Sequence, residues 1–591
     1  MRDTIRGFDY STREAREETV SRLWARAKSA RTTVEANWRK YNDYYEGRHD
    51  IMAAAEAADS PFLPSIVQDA FIAVESQVDP NVPEPQFSGR DSDMDDSKAK
   101  QREKAVRYVT ENNRLTDMNT RNERRLLKYG DAFWKVYWDA AMRCGVHEGD
   151  IHVTDVPIDC IYPDPSVKNG DIQSGQFVDY VYRLHKVEAM QMFARDIKKS
   201  GVEPEELLGI DFTSRNGPLD ATTSVDDSED TVQVLEHWFK QPVEVKSKSG
   251  TIPAGAVGCV IMIGYKEMRY IPDYWQRTHR QNKLFPFVQY WRIQDENSVW
   301  NKSELFALIG IIDDADRALT NAKMQDGYNA NDILLVEEGA LAEGEEISNE
   351  PGSIVRLKQG KIGSVRRLGG TNKTAESMAN MEYYRSEIER TGRNWMTNQG
   401  KTDTANRTAT GIAMIRADAE AQTDVKSRDR RLGFERLYEL IDWSCLEFFD
   451  DDRMLYIGAD EANDRPKEMF EYNADQFVET TDPVYNELGV MVREPWEYFP
   501  RLDVTVTAGN GIARSKQATL ETLQALAGMQ ITPENYKLIA KQLELIDLPG
   551  RHDIEKEWEE RFALQPVGGI VPTVQGNVPP IGGSNELLQP V

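Results

Sequence analysis

From Trp300 to Phe449 the chain reads as helix almost throughout, broken at two places only, and the rest of the sequence must accommodate that run. The first stretch, WNKSELFALIGIIDDADRALTNAKMQDGYNAND, carries an apolar face through Leu305, Ile309 (or Ile312) and Leu319. A second helix runs from Thr374 to about Arg390. A third runs from about Thr410 to Phe449, with Phe434, Leu437, Ile441 and Cys445 on one face. The first break holds two short strand-and-turn elements, ILLVEEGA and GSIVRLKQGKIGSVRRL. The second is NWMTNQGKTDTANRTATG, which contains a Gly-Lys-Thr.

That tripeptide does not make a phosphate-binding loop. Such a loop needs a glycine five positions before its Gly-Lys-Thr, so that successive N–H groups curl around the phosphates. Trp395 stands at that position, and the preceding SMANMEYYRSEIERTGRNW is rich in helix formers where a strand is required. What remains is a small polar loop. It offers Asn394, Thr397, Asn398, Gln399, Lys401, Thr402, Asn406 and Arg407, against the single acid Asp403. Small polar residues and glycine keep such a connector adaptable and exposed.

Before the helical run lies a body of another kind. The opening segment is helical and charged and runs into ANWRKYNDYYEGRHD, where Trp38, Tyr41 and Tyr45 share one helix face. The acidic patch DSDMDDSK places aspartates at alternate positions. It fails as a calcium loop because Asp96 takes the turn glycine's place and Arg102 that of the bidentate glutamate. A basic helix, NERRLLKYG, leads into GDAFWKVYWD, whose alternation predicts a strand. Further strand patterns follow in GDIHVTDVP, FVDYVYRLHKV, DTVQVLEHWFK, AVGCVIMIGYKEMRYI and FPFVQYWRIQD. Residues 100–295 therefore predict an α+β body with a mainly antiparallel sheet. Strands return at EYFPRLDVTVTAG, a last helical region follows, and residues 564–591 form a Pro/Gly-rich tail without a core.

Charge sorts the function classes. The formal net charge is −27, so most of the surface repels nucleic acid, whose binding rests on phosphate neutralisation. Within the insert after the first long helix the signs separate. Residues 332–350 hold seven acidic side chains, among them Glu337, Glu338, Glu345 and Glu346, and no basic one. Residues 351–373 hold six basic ones, among them Arg356, Lys358, Lys361, Arg366 and Arg367, and no acidic one. One hairpin could pair these blocks internally, or a ring could pair them between neighbouring subunits.

A search for chemistry gives no enzyme. The seven histidines are dispersed and no HExxH, GxSxG, kinase signature or GxGxxG occurs, so neither a metal nor a cofactor is expected. Asp450, Asp451 and Asp452 read as a solvated helix-end charge run. Four scattered cysteines read as reduced thiols, and no apolar run suits a secretory signal or a membrane span.

The order of elements, with WRKYNDYYEG, GDAFWKVYWD running into IHVTDVPIDCIYPDPS, the PFVQYWRI…NKSELFALIGIIDDADRALTN junction and RTATGIAMIRADAEAQ, resembles the tailed-bacteriophage portal proteins over about residues 20–560. One departure is Asn301-Lys302 where a glycine is expected before the first long helix, which leaves the helix start open. The resemblance implies a wing of residues 1–299 and 450–512, stem helices 300–331 and 371–393, and a clip at 332–370. It further implies a tunnel loop at 394–409, a long tunnel helix at 410–449 and a helical crown at 513–563. It also implies a ring, typically a dodecamer, at a capsid vertex of the virion, assembled in the host cytoplasm. Double-stranded DNA is packaged and ejected through such a ring. Implied partners are the terminase large subunit, the major capsid and scaffolding proteins, and head-completion adaptor or tail proteins, with no membrane. On this reading Asn394, Thr397, Asn398, Gln399, Lys401, Thr402 and Arg407 face the DNA channel, and the nine charged insert residues named above meet partners or neighbouring subunits. The rival reading is a ring or adaptor protein of a virion that conducts no DNA.

Overall fold

Thr12 starts the first helix by accepting the Ala15 N–H at 3.2 Å, and 33 residues follow without a break, Arg13–Tyr45 (α1). Its first half buries Val20, Leu23 and Trp24 against one sheet, and its last turns bury Trp38, Tyr41 and Tyr44 in the main core. The aromatic face expected at Trp38 is thus real, with Tyr45 packed at its edge. The computed structural model describes residues 7–48, 66–89, 96–144, 147–200, 231–247, 250–330, 333–338, 340–341, 356–360, 362–368, 374–391, 409–458 and 467–506, the last without 482, 486–490 and 494. Nearly all of these belong to one compact unit, residues 1–457 with 469–511.

The remaining helices are Asp69–Glu75 (α2), Asp96–Asn112 (α3), Leu115–Tyr129 (α4), Lys186–Ser200 (α5), Ile309–Ala330 (α6), Thr374–Thr391 (α7) and Ala409–Phe448 (α8). The strand body forms two main sheets where the sequence suggested one. Five strands pair in the order Lys266–Ile271, Val257–Ile263, Thr231–Lys240, Phe177–His185, Ile161–Pro163, all antiparallel. Three more pair as Phe287–Trp291, Asp131–Cys144, His147–Val156. Strand 131–144 is covered on both sides at Phe133, Trp134, Lys135 and Val136, because helices lie on one face and the larger sheet on the other. Lys135 survives there because its Nζ donates to Glu236 Oε2 at 2.8 Å, an oxygen that also accepts the Trp238 indole N–H.

Helix α8 ties the ends of the unit together. Its Phe434, Leu437, Ile441 and Cys445 are buried, as the periodicity predicted. Arg102 of α3 pairs with Asp442 and donates to Pro500 O, joining α3, α8 and the return strands; removing one partner of such a pair costs about 3–5 kcal/mol. Arg430 reaches the buried Glu123 of α4 at 2.7 Å. Strand Pro85–Gly89 then pairs antiparallel with Leu502–Val506. The Asp450–Asp452 run is partly engaged: Asp451 holds His147 and Arg453, and Asp452 accepts from Asn473.

Candidate functional site

The helical run begins later than its pattern suggests. Residues 300–303 are not helical; a short 3-10 turn, Glu304–Ala307, comes next, and α6 starts at Ile309. The reason is the anchor. Asp131, at the start of its strand and wholly buried, accepts Asn301 N–H at 2.8 Å, Asn301 Nδ2 at 2.7 Å and Gln289 Nε2 at 2.7 Å. Asn301 Nδ2 also donates to Gly170 O, and its Oδ1 accepts Asp295 N–H. Asn301 therefore cannot enter a helix, and Ser303 caps the 3-10 turn after it by accepting Leu305 N–H at 2.9 Å. Burial pushes the Asp131 carboxyl up to about 6, against the pull of those three donors. Trp300 seals the junction edge-on to Trp38, ring centres 4.8 Å apart.

Two glycines make room for Asn301. Gly130 ends α4 at φ +95°, and a Cβ there would lie 2.5 Å from the Asn301 carbonyl oxygen. A Cβ on Gly170, at φ +63°, would lie 2.3 Å from Asn301 Oδ1. Gly130→Ala is expected to lose at least about 2 kcal/mol, the left-handed backbone penalty plus the displaced carbonyl. Thermal unfolding of the purified chain checks this, and an unchanged midpoint would show that the junction yields freely.

Above this anchor α6 and α7 run antiparallel. Thr374 Oγ1 donates to Asp326 Oδ1 at 2.7 Å at one end, while Asp69 of α2 meets Arg385 at 3.4 Å at the other. The base is braced further by Tyr44, whose hydroxyl donates to Asp313, and by Val67 N–H on Asp316 at 2.5 Å. α7 is open along most of its length: Met381 and Ile388 are buried, while Met378 is 40% and Tyr383 62% exposed. Each helix carries four acidic and two basic side chains.

The insert between them is a hairpin, Ile333–Val336 antiparallel to Val365–Leu368, which sets Arg366 opposite Leu335 and Arg367 opposite Leu334. The acidic and basic halves meet within one chain, through Glu337 N–H to Ser364 O, Ser364 Oγ to Glu337 Oε2 and Lys358 N–H to Ala340 O. Those joints are main-chain and hydroxyl contacts. Glu337, Glu338, Arg356 and Lys358 are exposed. Glu345, Glu346 and Lys361, and the side chains of Arg366 and Arg367, lie outside the described residues, as does the whole expected channel set Asn394, Thr397, Asn398, Gln399, Lys401, Thr402 and Arg407. Sequence reasoning missed Asp131, Gln289 and Gly170. Its one available signal was Asn301 standing where a glycine was expected.

No helix among the described residues is long and apolar enough to cross a membrane, and none of their His, Cys, Asp and Glu side chains cluster as a metal site. The described residues form small antiparallel sheets whose buried polar groups fix the base of a helix pair. The family model described as phage P22-like portal protein matches residues 71–573, and the chain belongs to that family, the portal proteins of tailed bacteriophages. The family is one of structural ring proteins of the phage capsid. A search of curated proteins finds no match.

Proposed function

We propose that copies of this chain close into a ring, a dodecamer in the family's usual form, at one capsid vertex, and that double-stranded DNA enters and leaves the capsid through it. On this reading α6 and α7 form the stem, and residues 332–370 form the clip that docks the terminase large subunit and later the head-completion or tail proteins. Residues 394–409 reach toward the duplex, and residues 513–563 form the crown. The observation that carries the reading is the open face of α7, where Met378 and Tyr383 await cover that a neighbouring copy supplies. The acidity of the chain fits a conduit, since every tight phosphate contact would become a barrier to sliding.

Electron microscopy of the purified chain tests the proposal: rings with an open central channel support it, and monomers or rings without a channel refute it. The insert makes a separate prediction. Exchanging Arg366 and Arg367 for glutamate is expected to lower ring yield or terminase binding, because the six basic and seven acidic residues of the insert become four and nine. Normal yield together with normal terminase binding would remove the insert from both roles.

A further inference from the structure

We propose that a cleft beside α4 is a binding site for a phosphate group. Arg121, Arg124, Arg125 and Lys128 fall at i, i+3, i+4 and i+7, so one face of α4 presents four cations to one hollow. The hollow has a volume of about 220 Å³, and Tyr129 with Pro157, Ile158 and Asp159 completes its wall. These four cations gather in one place on a chain whose net charge is −27.

Among the described residues two carboxylates pair with three of the four cations. Asp155 takes both Arg121, at 2.8 Å, and Arg125, at 2.5 Å. Glu75 takes Arg124 at 2.8 Å and accepts the Tyr45 hydroxyl as well. Lys128 donates to the neutral Asn42 Oδ1 at 3.1 Å, and its Nζ sits 4.3 Å from the centre of the Tyr45 ring and 5.1 Å from that of Tyr129. Burial pushes this ammonium down to about 8, with Arg125 and Arg124 adding to the shift and Glu46 and Glu75 opposing it. Among the described residues no carboxylate is hydrogen-bonded to Lys128, and an anion in the hollow would supply that direct partner.

The geometry selects the anion. Asp155 and Glu75 occupy one edge of each guanidinium, and the unused N–H groups come from three side chains spaced over about one turn of helix. A planar carboxylate is satisfied by one fork; a tetrahedral oxyanion with several acceptor oxygens uses donors from several directions. Asp159 at the wall, together with Asp155 and Glu75, keeps the net charge of the site low, so binding is weak and reversible. The phosphate is either free or carried on nucleic acid.

The test uses the full chain in phosphate-free buffer at fixed ionic strength. Inorganic phosphate, and separately a short DNA duplex, are titrated by calorimetry. Saturable phosphate binding that Arg124→Gln weakens about tenfold, the value of one charge-assisted contact, supports the site. Arg124 is 42% exposed at its side chain, so this variant keeps the fold, and Lys128→Gln gives a second reading from inside the cleft. Duplex binding that phosphate displaces and both variants weaken assigns the ligand to nucleic acid; phosphate binding alone assigns it to the free ion. Absence of saturable phosphate binding, binding unaffected by either variant, or capture of a glutamate-rich peptide in place of phosphate overturns the proposal.

Discussion

Asn301→Asp, which changes one amide to a carboxylate at the foot of α6, is expected to cost about 3–5 kcal/mol at neutral pH. The amide nitrogen at this position is a donor 2.7 Å from Asp131 Oδ1. The substitution sets two carboxylates at hydrogen-bond distance in a site where both Asp131 and Asn301 are buried. Among the described residues no cation is hydrogen-bonded to Asp131, whose three donors are amide N–H groups. The pH dependence has a definite sign. Burial already raises the Asp131 carboxyl to about 6, and a second carboxylate raises the pair further, so the folded state holds a proton that the unfolded chain has released above about pH 4. Stability of the variant therefore falls as pH rises from about 4 through 7, and its deficit against the parent is smaller at pH 5 than at pH 8. Thermal unfolding of both proteins at the two pH values measures this. A deficit of equal size at both would mean that the lost Gly170 hydrogen bond, and not charge, sets the cost.

The same junction shows how much of this structure was legible in the sequence and where legibility stopped. Periodicity located the main strands between 131 and 291 and the second and third long helices because those elements follow their own side-chain pattern: α7 begins at Thr374, as read, and α8 ends at Phe448, one residue before the expected Phe449. Leu305 lies on the apolar face of the first stretch and is buried as expected, yet it sits in a 3-10 turn. A periodic apolar face cannot report that Asn301 is held by a strand 170 residues earlier in the chain. The N-terminal anchor is equally invisible. Tyr10 meets His237 Nε2 at 3.0 Å and His237 Nδ1 meets Asp179 at 2.5 Å, three residues that no local spacing connects. Charge blocks, in contrast, were plain in the sequence, but their pairing was not. The strand register of the insert puts the arginines opposite leucines, and only a register can decide that.

Deleting residues 397–403 is expected to leave folding and ring formation intact while reducing the DNA packaged or retained in the capsid. The segment lies in sequence between α7, which ends at Thr391, and α8, which starts at Ala409, and its composition reads as an exposed loop, which carries little of a core. α8 is held independently of it, by Phe434, Leu437 and Ile441 in the core and by the Arg102–Asp442 and Arg430–Glu123 pairs. In a ring every copy contributes the same cations, Lys401 and Arg407, around one duplex, and a circle of charges focuses potential far more than a single one does. The deletion takes Lys401 and keeps Arg407, so it halves those cations in each subunit and shortens the loop together. On the proposed reading, contact with the duplex is expected to stay weak in the parent because α6 and α7, the two helices before the loop, each carry four acidic and two basic side chains. Replacing Lys401 alone by glutamine separates charge from length: a packaging loss matching that of the deletion assigns the role to the cation, and a loss seen only with the deletion assigns it to reach. Packaging and retention at parental levels in the deletion would make the segment a connector and nothing more.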